Sequence, residues 1–95
     1  MSRTRKPKSS EQIQHDREIG KRMTRARLRA SDQYSPLTQA ELAEIANLSE
    51  RSIGLYERGE VSVGSFALKQ LAKALRVKVQ WLLYGSDTCT LTRKD

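Results

Sequence analysis

Leu37-Thr-Gln-Ala-Glu-Leu-Ala-Glu-Ile-Ala-Asn-Leu-Ser-Glu-Arg-Ser-Ile-Gly-Leu-Tyr-Glu-Arg-Gly59 reads as two short helices joined by a tight turn. Thr38 and Glu41 stand at capping-box spacing, so the Thr38 hydroxyl can accept from the Glu41 amide while the Glu41 carboxylate reaches back. That predicts a helix from Gln39 to about Ala46. Asn47 tolerates the left-handed conformation that a sharp helix exit needs. Ser49 is a good N-cap, Glu50 suits the positive end of a helix, and Gly59 closes a second helix over about Glu50 to Arg58. Leu42, Ala46, Leu48, Ile53 and Tyr56 supply apolar contacts, and Ala43 is small where two helices cross closely.

Upstream, Ser9 and Gln12 form another capping-box spacing, and Ile13, Ile19, Met23, Ala26 and Ala30 recur at steps near three or four. One long first helix follows, either continuous or broken near Gly20. Ala30 to Pro36 interrupts the period, because Pro36 lacks an amide hydrogen and pushes Ser35 out of helical geometry. Downstream, Val61 to Ser65 is a loop, and Phe66, Leu68, Leu71, Ala72 and Leu75 mark an amphipathic fourth helix ending near Arg76. Val77, Val79, Leu82 and Leu83 form a short apolar fifth, stopped by Gly85. The expected organisation is a basic N-terminal arm over 1–9, an all-α domain over 10–85 and a polar tail over 86–95.

Inventory excludes most chemistry. The chain has 95 residues, one cysteine (Cys89) and one histidine (His15), so it can build neither an internal disulfide nor a metal site from these residues. No Ser, His and acid spacing resembles a triad and no Gly-rich phosphate loop occurs, so no enzyme activity, metal or cofactor is expected. The longest apolar runs, such as Val79 to Tyr84, are far too short to span a membrane, and a cytoplasmic, nucleoid-associated protein is expected. The net charge of +7 is uneven: residues 1–30 carry ten Lys or Arg against three acids, and residues 31–95 carry eight of each. Such a block suits a polyanion partner, or else a solvated helix face.

The 37–59 stretch resembles the helix-turn-helix of the phage repressor and Cro class, the Xre family. Ile19-Gly-Lys-Arg-Met resembles that family's first helix, Leu71-Ala-Lys-Ala-Leu its fourth, and Val79-Gln-Trp-Leu-Leu-Tyr-Gly85 its fifth. The resemblance implies a lambda-repressor-like five-helix bundle that binds double-stranded DNA as a homodimer, with the helix from Glu50 to Arg58 in the major groove. Glu50, Arg51, Ser52 and Leu55 match the family's base-facing positions. A groove-facing Arg51 can grip guanine in two-pronged fashion, Glu50 either accepts from cytosine or caps its helix, and Leu55 can pack on a thymine methyl. Gln39 matches a phosphate-contacting position, and Thr38, Ser49 and Arg58 are expected at phosphates beside it, with Arg3, Arg5, Lys6 and Lys8 of the arm along phosphates or in a groove. Arg27 and Glu57 match a structural pair between the first helix and the end of the third, the alternative being that both are solvated, with Arg27 one more phosphate contact. Trp81, Leu82 and Tyr84 are expected to help form a dimer, the alternative for Trp81 being burial in its own domain.

Three features depart from the family pattern. The connection between Met23 and Leu37 is longer, which implies either a decorated loop or an extended first helix. Gly54 sits inside the recognition helix, where glycine costs about 0.5 to 1 kcal/mol relative to alanine, either to let backbone approach DNA or because it is tolerated. Arg76 and Lys78 stand where a Gly and an N-cap are usual. A repressor of a palindromic operator is the expected function. The rival is an antitoxin of the same fold that neutralises a toxin and regulates its own promoter; a protein partner such as a toxin or antirepressor is compatible with either.

Overall fold

The computed structural model describes residues 8–29 and 37–85; Arg3, Arg5, Lys6, the 30–36 connection and the 86–95 tail lie outside the described residues. Five helices follow one another: α1 (Ser10–Arg29), α2 (Gln39–Ala46), α3 (Glu50–Arg58), α4 (Ser65–Leu75) and α5 (Val79–Tyr84). Together they form the all-α five-helix bundle expected from the sequence. No described helix is long and apolar enough to cross a membrane.

Each helix drives at least one wholly buried side chain into the shared centre. Ile19 and Met23 come from α1, Leu42 from α2, Ile53 from α3, Leu71 from α4 and Leu82 from α5. Helices of six to eleven residues are too short to persist alone in water, so the four later ones owe their persistence to this common burial. Their ends are fixed locally. Asn47, Arg76, Gly59 and Gly85 all take left-handed backbone angles at the exits of α2, α4, α3 and α5. At the α2 exit the Leu48 amide returns to Ala43 O at 2.9 Å, and the Gln70 side chain donates to Ala46 O at 3.1 Å. Arg76 does the work of the expected glycine, its amide directed back to Ala72 O and Lys73 O. Lys78 precedes α5 without a side-chain cap.

Two sequence-based expectations are refined at α1. The helix runs unbroken through Gly20, because Gly20 is the point at which α1 lies against the end of α3. A Cβ there would stand 2.5 Å from Glu57 O and 2.6 Å from Tyr56 O. Ser9 caps α1 through its hydroxyl and the Gln12 amide at 3.1 Å, but only half of the box closes: the Gln12 side chain reaches Ser62 instead, at 3.1 Å.

Gly20→Ala is therefore expected to destabilise the domain by about 2 kcal/mol or more, the usual scale of core overpacking, even though alanine is the better helix former. Chemical denaturation measures it; an unchanged midpoint would show that α1 and α3 separate freely.

Candidate nucleic-acid interface

The free face of the bundle is built on α3. Its inner side is occupied by Ile53, wholly buried, and by Glu57, which joins α3 to both α1 and α2. Arg27 grips Glu57 with two parallel bonds, Nε to Oε2 at 2.7 Å and Nη2 to Oε1 at 3.0 Å, and its third nitrogen donates to Leu37 O at 2.8 Å. Gln39 adds its amide nitrogen to the same Glu57 oxygen, Oε1, at 3.0 Å. One carboxylate thus ties together α1, the first turn of α2 and the last turn of α3. Burial alone would raise the Glu57 pKa, but the bonds from Arg27, Gln39 and Thr24 outweigh it and hold the carboxyl below its ordinary value.

The outer side of α3 carries Glu50 and Arg51, both exposed, with Ser52 and Leu55 half-buried beside them and exposed Arg58 one turn further on. Arg51 makes no hydrogen bond or ion pair among the described residues, so its guanidinium stands free of the protein surface. Ser49 caps α3 by accepting from the Ser52 amide at 3.0 Å and directs its own proton to the Ser52 hydroxyl at 2.9 Å. In that arrangement the hydroxyl with a proton to give a ligand is that of Ser52, not of Ser49. Arg58 pairs with Glu60 at 2.9 Å, both ends exposed, an interaction weak enough to exchange for another anion.

The first turn of α2 flanks this edge. Both halves of the predicted box close at Thr38: its hydroxyl accepts from the Glu41 amide at 3.0 Å, and its own amide donates to the Glu41 carboxylate at 2.9 Å. The Thr38 hydroxyl proton remains free for an anion. The Gln39 side chain is committed to Glu57 through its nitrogen, leaving its oxygen and the backbone to face outward. Gly54 is buried beneath that same Gln39 oxygen and the Arg58 guanidinium, which a Cβ would meet at 3.7 and 3.2 Å. A side chain there would press only on the end of the exposed Arg58 guanidinium.

Several expected site residues sit elsewhere. Lys8 pairs with the buried Asp16 at 2.6 Å. Trp81 and Leu82 are only 6 % and 0 % exposed, packed within their own domain, whereas Tyr84 is 72 % exposed. The outward face of α5 is thus narrower than the run of apolar residues suggests. Sequence reasoning also missed Arg22, whose Nε and Nη2 each donate at 2.9 Å, to Leu82 O and Leu83 O, and so pin the end of α5 to α1. Asp16 was missed too, although its position one turn before Ile19 and Gly20 places it on the core stripe.

Removing one partner of the Arg27–Glu57 pair leaves a shielded charge, so Glu57→Gln is expected to cost about 3 kcal/mol at neutral pH. The wild-type contribution is present above the ordinary glutamate value and is lost as pH falls below about 4.3 toward the lower folded value. Stability measured against pH should therefore decline less steeply for Glu57→Gln in that acid range; parallel curves would contradict it.

Residues 37–82 match the family model described as helix-turn-helix. No curated protein matches the chain. Among solved structures, it resembles the restriction-modification controller protein C.AhdI from Aeromonas hydrophila at 27 % identity and TM-score 0.63, over 70 % of this chain and 94 % of that one. It resembles the P22 c2 repressor, solved in complex with a synthetic operator, at 28 % identity and TM-score 0.62, over 72 % and 96 %. The clp gene regulator ClgR from C. glutamicum gives 26 % and 0.62, over 72 % and 82 %. With their closed capping box, two short helices and the free edge on the second, residues 37–82 form a helix-turn-helix similar to that of DNA-binding regulators of the Cro/CI (Xre) type.

Proposed function

We propose that the chain is a sequence-specific DNA-binding regulator of transcription, a repressor that reads a palindromic operator as a homodimer. The observation that carries this reading is the division of α3 into two sides: Ile53 and Glu57 lock one, and the other presents Arg51 unpartnered beside Glu50, Ser52 and Leu55. A rigid helix with a free polar edge and a free guanidinium fits the major groove, where arginine meets guanine O6 and N7. Thr38, the outward parts of Gln39, Ser52 and an Arg58 released from Glu60 stand where phosphates would flank the helix. Arg3, Arg5 and Lys6 supply further positive charge close in sequence. Three similar proteins are named as a controller, an operator-bound repressor and a gene regulator. Exposed Tyr84 on α5 offers a surface to a second copy, whose α3 would lie about 34 Å away, one helical turn of DNA along.

Selection of bound sequences from random duplex DNA is expected to return an inverted repeat with half-sites about 10 base pairs apart, centre to centre. Arg51→Ala should abolish the preference at one base pair per half-site, about 1 to 3 kcal/mol each, and leave weak binding to arbitrary DNA intact. Equal weakening on all sequences would remove Arg51 from base reading, and a selection returning no repeat would remove the operator itself.

A further inference from the structure

A cleft of about 260 Å³ opens between α1 and the end of α5, lined by Glu18, Lys21, Arg22, Arg25, Trp81 and Gly85. It lies off the flank of α1 that meets α3. Each residue of an α-helix turns roughly 100°, so Lys21, Arg22 and Arg25 point roughly 100° to 160° away from Gly20, the contact with the end of α3. A duplex held by α3 is therefore not the anion that these cations face.

Three cations meet in the cleft against one acid. Lys21 and Arg25 are exposed and make no bond among the described residues. Arg22 is turned in, its side chain 14 % exposed, and spends Nε and Nη2 on the Leu82 and Leu83 carbonyls, which are neutral and leave its charge uncompensated. Those two bonds also cover the negative end of α5, which would otherwise repel an anion. The third nitrogen, Nη1, has no hydrogen bond: Glu18 Oε1 stands 3.9 Å away, and the other Glu18 oxygen is taken by Gln14 at 2.8 Å. Gly85 keeps space beside Nη1, since a Cβ there would stand 2.9 Å from it. The indole N–H of Trp81 is likewise unbonded, and because no buried side-chain nitrogen lacks a partner among the described residues, it reaches solvent although Trp81 is only 6 % exposed.

Donors without acceptors, gathered on a small concavity, suit a compact anion. Three cations less one acid leave two positive charges, which match the charge of about −1.5 to −2 on a phosphate group at pH 7, and guanidinium forks fit its oxygens. We propose that this cleft binds a phosphate dianion, free or as a small monoester, held by Lys21, Arg25 and Arg22 Nη1 with the Trp81 N–H as a neutral donor. Its size, just below the roughly 300 Å³ at which small-molecule pockets begin, limits the occupant to the phosphate and a few further atoms. A dicarboxylate spreads the same charge over two ends, which so small a site does not seat together. The site goes beyond the DNA-binding reading and stands without it.

Trp81 is the only tryptophan of the chain, so its fluorescence reports on the cleft directly. The full-length protein is titrated at neutral pH and constant ionic strength with inorganic phosphate, glycerol 3-phosphate, succinate and chloride. Phosphate or its ester is expected to give a saturable change, the tighter of the two naming the source. Succinate should bind at least about tenfold more weakly, and chloride should give no saturable response. Lys21→Gln and Arg25→Gln are each expected to weaken phosphate binding about tenfold, the scale of one hydrogen bond to a charged group. Both residues are exposed, so the fold survives their replacement. Arg17→Gln, which removes an exposed α1 cation outside the cleft, should leave the affinity unchanged. The absence of a saturable change, equal binding of succinate, or an equal loss in Arg17→Gln overturns the proposal, the last by showing diffuse attraction instead of a site. An excess of double-stranded DNA should leave the response in place; displacement of phosphate would assign these cations to the duplex and overturn it equally.

Discussion

The Glu57 carboxylate ties α3 to Arg27 of α1 and Gln39 of α2 at once. A nine-residue helix that must leave one side bare cannot be held by burial on all sides, and its own hydrogen bonds do not sustain it in water. It must be gripped along the other side by something stiff. Arg27 and Gln39 supply that grip by meeting on Glu57, and Arg27 extends it to the Leu37 carbonyl, where the chain enters α2. Gly20 completes the junction sterically, letting the α1 backbone approach the carbonyls of Tyr56 and Glu57 more closely than any side chain allows. Hydrogen bonding fixes the rotation of α3 about its axis, and the glycine fixes its distance from α1. Both are needed for Arg51 to point the same way in every molecule.

The same logic recurs on α1 between Gly20 and Arg27. Arg22 spends its guanidinium on the Leu82 and Leu83 carbonyls, which the helix α5 itself leaves unsatisfied at its C-terminus. Gly85 gives that guanidinium its space, since a Cβ would lie 2.9 Å from Arg22 Nη1. α1 therefore serves as the spine of the molecule: Asp16 holds the loop after α3, Gly20 and Arg27 hold α3 itself, and Arg22 holds α5. α5 and α3 are thus each bonded to the same helix.

The local elements were legible in the sequence because they are governed by local chemistry. Thr38 with Glu41, Asn47, Ser49 and Gly59 each encode a helix end through interactions within a few residues, and α2 and α3 begin and end where those residues dictate. The pairing of Arg27 with Glu57 was legible only through resemblance, being thirty positions apart. What escaped was set by three-dimensional neighbours. Gly20 looks like a helix breaker until the α3 carbonyls are placed beside it. Trp81 and Leu82 look like surplus apolar surface until α1 and α4 pack against α5. Lys8 looks like one more arm cation until Asp16 is seen to be buried, although an acid on a core stripe is itself a signal that a cation must come to meet it.

That last point changes the meaning of the positive charge. Of the N-terminal cations, Arg22 and Arg27 are turned inward onto the α5 carbonyls and Glu57, where they act as structural donors, and the more exposed Lys8 is paired with Asp16. Arg17, Lys21 and Arg25 remain exposed on α1 without a bond among the described residues, on the outward face of the spine. On α3 only Arg51 is both exposed and unpaired, with Arg58 half neutralised by Glu60. The recognition edge is thus sparsely charged, and a sparse edge suits discrimination better than adhesion: a dense one would bind every phosphate backbone alike, whereas a single free guanidinium gains most where it finds two acceptors on one base. Affinity must then come from cations beyond the edge, and their usefulness depends on how firmly the fold presents them.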